Sequence, residues 1–233
     1  ITAIRSLRGQ FIRWPDAGER TVIAQRIKKN YKFKNCLGFV DGTIFPFANQ
    51  PSTHDSSDYH GCKSGYGLSS LIMCDDQRLI RYYVSGWPAS AHDNRIFRNS
   101  DLFQQPFSYF SPSQYVLGDS AFQNMWFMVS AYKKPNRTQL SAENERFNKL
   151  LSKARVLSEH CIGILKGRFP ILLSIRMKLM EETQARNMRK ILKMIDTTVI
   201  LHNFLIMEKD HTDAEDWMVD DDTTGNDDDD GTD

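Results

Sequence analysis

Residues 36–47 read Cys36-Leu37-Gly38-Phe39-Val40-Asp41-Gly42-Thr43-Ile44-Phe45-Pro46-Phe47, and they decide the fold. Aromatic and β-branched side chains predict a strand, and the Asp41-Gly42 pair predicts a turn or bulge at its end. Working outward, a polar loop spans 50–64. Two further strand-like runs, Tyr66 to Cys74 and Arg78 to Val84, flank Asp75-Asp76-Gln77, which is a hairpin signal. Gly86-Trp87-Pro88 breaks the pattern, and 92–103 predicts a short helix. Gln114 to Leu117 form a brief apolar strand that ends at Gly118-Asp119. Helical patterns then cover about 142–166 and about 180–209. In the second of these, Met188, Ile191, Leu192, Ile195, Val199, His202 and Phe204 are expected to pack in the core. Three early strands, a helix, a strand and then helices predict an α/β layer fold with a mixed sheet flanked by helices.

Two acids fall at expected strand ends. Asp41 lies in the first run beside Gly42, and Asp119, 78 residues later, follows Gly118 at the end of the fourth. A third acid, Glu159, comes 40 residues further on, inside the strongest helical pattern. Ala154, Leu157, Cys161, Ile164 and Leu165 make the apolar stripe of that helix. At about 100° per residue Glu159 points away from the stripe, with Arg155 and Lys166 near it in angle. Any one such acid reads as a surface glutamate or aspartate with a basic neighbour. Three acids on two strand ends and a crossing helix instead suit a cation site, because Mg²⁺ takes carboxylate and phosphate oxygens. Two ions about 4 Å apart can serve both the attacking and the leaving oxygen of a phosphodiester.

Charge points the same way. The formal net charge is +1, but residues 210–233 hold twelve acidic residues and no Lys or Arg, leaving 17 acidic against 30 basic residues in 1–209. A body of about +13 suits a polyanion, since neutralised phosphates release counterions. The acidic segment is apolar-poor and reads as a disordered tail. Three regions are therefore expected: a helical flank at 1–35, a catalytic domain at 36–209 and the tail at 210–233. Ile1 stands where Met would open a chain, with no leader pattern after it, so a truncated or processed start is expected. No apolar run reaches the roughly 20 residues of a membrane span. Cys36, Cys62, Cys74 and Cys161 form no C-x-x-C pair, which favours reduced thiols. A zinc site from His54, His60, Cys62 and Cys74 has no standard spacing.

Four motifs occur in order across roughly residues 31–172: Gly38-Phe39-Val40-Asp41-Gly42-Thr43, Trp87-Pro88-Ala89-Ser90-Ala91-His92-Asp93, Leu117-Gly118-Asp119-Ser120-Ala121-Phe122, and Phe147-Asn148 continuing through Arg155 and Glu159 to Gly163-Ile164-Leu165-Lys166-Gly167-Arg168-Phe169. In these stretches the chain resembles the DDE superfamily endonucleases related to Harbinger transposases. The resemblance implies an RNase H-like fold and a divalent-metal-dependent DNA endonuclease or strand-transfer activity, and a DNA substrate in turn leads to the expectation of a nuclear location. It carries the catalytic, metal-binding acids onto Asp41, Asp119 and Glu159, served by two Mg²⁺ ions or by Mn²⁺. DNA contacts are expected at Arg155, Lys166 and Arg168. His92 and Asp93 are accessory candidates, but the pair is expected first to cap the following helix, since Asp is a favoured N-cap. The family uses a separate Myb-like DNA-binding partner. Two departures from its pattern, His60-Gly61-Cys62-Lys63 and Pro88-Ala89-Ser90, leave an alternative: a domesticated DNA-binding protein without cleavage activity.

Overall fold

The computed structural model describes residues 1–61, 65–134 and 139–209. Cys62 and the acidic segment 210–233 lie outside the described residues. The strands are β1 (Cys36–Pro46), β2 (His60–Gly61), β3 (Gly65–Cys74), β4 (Ile80–Pro88), β5 (Tyr115–Gly118) and β6 (Met128–Ser130). β4, β3 and β1 are antiparallel neighbours. β5 joins β1 in parallel and β6 joins β5 in parallel, while the short β2 pairs with the start of β3. The helices are α1 (Thr2–Arg5), α2 (Arg8–Phe11), α3 (Ala17–Tyr31), α4 (Asp93–Arg98), α5 (Asp101–Gln104), α6 (Pro106–Tyr109), α7 (Ala142–Arg168) and α8 (Gln184–Met207). A curled mixed sheet flanked by helices is the fold class read from the sequence.

Strand alternation builds two cores. Phe39, Phe45 and Ile72 face one way, onto Ile23 and Ile27 of α3, Leu151, Cys161 and Leu165 of α7, and Ile191, Ile195 and Val199 of α8. Val40, Leu71 and Met73 face the other way, onto Ile96 and Phe97 of α4 and onto Phe122 and Phe127. Two of the long helices begin at side-chain caps. Asp16 accepts from the Glu19 amide while the Glu19 carboxylate accepts from the Asp16 amide, a reciprocal capping box at α3. Ser141 accepts from the Asn144 amide at α7. Among the described residues no helix is long and apolar enough to cross a membrane.

The structure corrects four local expectations. Asp41-Gly42 does not end β1: Asp41 pairs with Ile72 and Gly42 with Leu71, in a ladder unbroken from Phe39 to Pro46. Extended pairing on β3 outweighs the local turn preference of Asp-Gly. The single helix expected over 92–103 is two, because Ser100 takes an extended conformation (φ −88°, ψ 155°) and restarts the chain at α5. The last helix begins at Gln184 and not near Met180, since Leu179 and Glu181 hydrogen-bond across to Ser52 and hold that stretch extended. Phe204 is 39% exposed, resting edge-on against Phe11 instead of sitting in the core.

Candidate active site

The site forms where β5 stops and β1 continues. The parallel register sets Phe39 against Leu117. Carried two residues along both chains, it sets Asp41 abreast of Asp119, one residue past the end of β5. From Asp41 to Phe45 β1 therefore has no strand partner on that side, until Ile175 bonds Pro46 and Ala48. The Gly42 amide there donates to the Asp41 carboxylate itself at 3.0 Å. Asp119 is held by a short turn, its Oδ1 accepting from the Ala121 amide at 2.8 Å.

α7 crosses over this edge. Its apolar side, with Leu151, Ala154, Cys161 and Leu165, is buried, while Glu159 is exposed, as the stripe predicts. Arg155 reaches Asp41 with Nη2 3.3 Å from Oδ1. Ser158, 1% exposed, donates to the Arg155 carbonyl at 2.7 Å and stands 3.4 Å from Asp41 Oδ2. The role of Ser158 was not read from the sequence. Its signal was a hydroxyl lying on the apolar stripe, one turn after Ala154.

Asp93 arrives from the opposite face of the sheet. A Cβ added at Gly42 would lie 2.2 Å from Asp93 Oδ1, so only glycine leaves room for this carboxylate over β1. The expectation that Asp93 caps the following helix is overturned. His92 holds the N-cap position of α4 without a side-chain cap bond, and Asp93 is the first helical residue. Its carboxylate is taken up against Gly42 instead.

Electrostatics ties the four acids together. Burial pushes Asp41 up from 3.8 to about 6, and the negative charges of Asp119 and Glu159 push in the same sense against Arg155 and the Gly42 amide. Burial raises Asp93 as well, helped by Asp119 and opposed by His92. The donor set is all carboxylate oxygen, the type hard divalent cations take. A raised, crowded carboxylate marks negative charge that a cation would relieve. Among the described residues no three His, Cys, Asp or Glu side chains already stand as a closed cation cage. The acids share one field without closing round a point.

The remaining sequence candidates divide. Lys166 lies on the Arg155–Glu159 side of α7, with Nζ 5.9 Å from the Phe45 ring centroid. Arg168, the last residue of α7, is turned about 220° from Arg155 around the helix. His92 is exposed beside Asp93. The zinc reading finds no support among the described residues: His54 pairs with Glu181 at 2.7 Å, His60 packs edge-on against Tyr66, and Cys74 is buried against Cys161.

A family model described as DDE superfamily endonuclease matches residues 40–203. The chain belongs to the DDE superfamily endonucleases. This DDE endonuclease is 23% identical over 214 residues to "Protein ALP1-like" of Arabidopsis thaliana, covering 85% of this chain and 49% of that protein. It is 27% identical over 168 residues to "Putative nuclease HARBI1" of Homo sapiens, covering 70% of this chain and 45% of that protein. The resemblance to Harbinger-like DDE endonucleases thus holds. The chain spans about half the length of these curated relatives. No solved structure matches it.

Proposed function

We propose that this DDE endonuclease is the catalytic core of a metal-dependent DNA nuclease of transposase descent, with Asp41, Asp119 and Glu159 as its acidic triad. The observation that carries the reading is the register that sets Asp41 abreast of Asp119 beneath the helix bearing Glu159. Two Mg²⁺ ions, or Mn²⁺, held by these carboxylates would supply charge at the attacking and leaving oxygens of a phosphodiester. The protein's own groups do the rest. Ser158 orients Asp41, Arg155 balances its charge until a phosphate competes for the guanidinium, and Asp93 adds a further carboxylate on the Asp119 side. Lys166 and Arg168 would hold the DNA backbone further along α7. A freed 3′-hydroxyl attacking a second duplex would extend hydrolysis to strand transfer. Action in the nucleus with a Myb-like partner belongs to the same proposal.

A second reading, a DNA-binding protein without cleavage, draws on the Arg155–Asp41 ion pair and the open arrangement of the acids. Nicking of supercoiled plasmid in Mg²⁺, Mn²⁺ or EDTA separates the two. Metal-dependent nicking that disappears in Asp119→Ala and in Glu159→Ala establishes the nuclease. Tight DNA binding with no nicking by any of the three proteins in either metal favours the binder.

A further inference from the structure

At the far edge of the sheet from the acids, β4 pairs with β3 alone among the described strands, and its outer edge, capped by the Asn203 side chain at Ile80, has no strand partner from Tyr82 onward. A groove of about 590 Å³ runs along Tyr82 to Ser85 of this edge, between α8 and the start of α5. Its lining includes the cations Arg5, Arg8, Arg189 and Lys193, the acids Asp101 and Asp196, and the apolar side chains of Leu192 and Val84. The first two arginines share one carboxylate, Asp196, which also binds the Tyr83 hydroxyl, so one carboxylate answers two guanidiniums. Arg189 and Lys193, one turn apart on α8, are exposed. The lining is thus net cationic with apolar side chains among the charges, and it is bordered by a strand edge that no other described strand covers. It suits an extended acidic peptide with an apolar anchor, added alongside the strand edge.

The chain carries such a peptide. Within the acidic segment, Trp217-Met218-Val219 is flanked by Glu215 and Asp216 before it and by Asp220, Asp221 and Asp222 after it. The reach also matches. Along α8, Lys193 lies roughly 24 Å back from Lys209. Eight extended residues from Lys209 to Trp217 span roughly 26–29 Å. We infer that residues 215–222 dock back into the β4-edge groove of the same molecule, with Trp217 against Leu192 and the flanking acids on Arg189 and Lys193.

Zero-length carbodiimide cross-linking of the intact chain, read by peptide mass spectrometry on the monomer fraction, tests this. The expected product joins Lys193 to a carboxylate within 215–222, at least five-fold more abundant than any link from Lys28, Lys29 or Lys32. Trp217→Ala, which leaves every charge in place, should remove most of it. Equal labelling of those three lysines, or indifference to Trp217→Ala, would overturn the inference by reducing it to unspecific charge attraction. Links found only between copies would overturn it in favour of docking in trans. DNA affinity gives an independent reading. Arg189→Glu/Lys193→Glu should weaken duplex binding less than two-fold in the Trp217→Ala background. A ten-fold loss there would assign the groove to DNA instead.

Discussion

Asp41 and Asp119 stand abreast because Phe39 and Leu117 are parallel partners two residues earlier on each chain. Their proximity is a property of backbone register, and it adds to the burial that pushes the Asp41 carboxyl up to about 6.

That shift sets a pH dependence. Asp41 takes up its proton more readily in the fold than unfolded, so its stabilising contribution is complete below about pH 4 and is lost as pH rises through about 6. In EDTA, Asp41→Asn should be about 3 kcal/mol more stable than wild type at pH 7.5. The advantage should vanish by pH 4. Paired thermal melts across that range check it, and a gap independent of pH would refute it.

Gly42 and Asp93 should behave as one unit. Gly42→Ala drives a methyl into the Asp93 carboxylate and should cost about 1–3 kcal/mol. In an Asp93→Ala background the same change should cost clearly less. A double-mutant cycle by urea denaturation measures the coupling, and strict additivity would contradict it.

Ser158→Ala removes the hydroxyl that stands at Asp41 while leaving the carboxylates untouched. Metal-dependent nicking should fall about ten-fold or more, with stability altered by no more than about 1.5 kcal/mol. Apparent metal affinity should weaken alongside, which loss of helix packing alone would not produce.

Asp196→Ala strips a nearly buried carboxylate from Arg5, Arg8 and the Tyr83 hydroxyl. The arginines are part-exposed, so a loss of about 1–3 kcal/mol is expected. It should appear as a lower urea midpoint with an unchanged slope.

The amino-acid order made the elements that carry Asp41, Asp119 and Glu159 legible, because strand alternation and the α7 stripe are local patterns. It did not reveal that Asp41 sits in mid-strand. Asp-Gly favours turns in isolation, and only pairing with Ile72 and Leu71 overrides that. Asp93 was misread for a related reason: an acid at a helix start caps by default, unless a distant glycine opens a space for it. The Asp196 network was equally invisible, since Arg5, Arg8 and Tyr83 lie more than a hundred residues away in the chain.

α7 is 27 residues long, about 40 Å of continuous helix, and Arg155, Ser158 and Glu159 ride on it together. These three groups cannot be retuned one at a time by motion of the scaffold. Any tilt or slide of the rod shifts them in concert against the stationary β1 and β5. Its N-terminal end rests through Phe147 on Phe33 and Tyr132, well away from the acids. The one helix thus ties an aromatic contact at its start to the residues that face Asp41 further along.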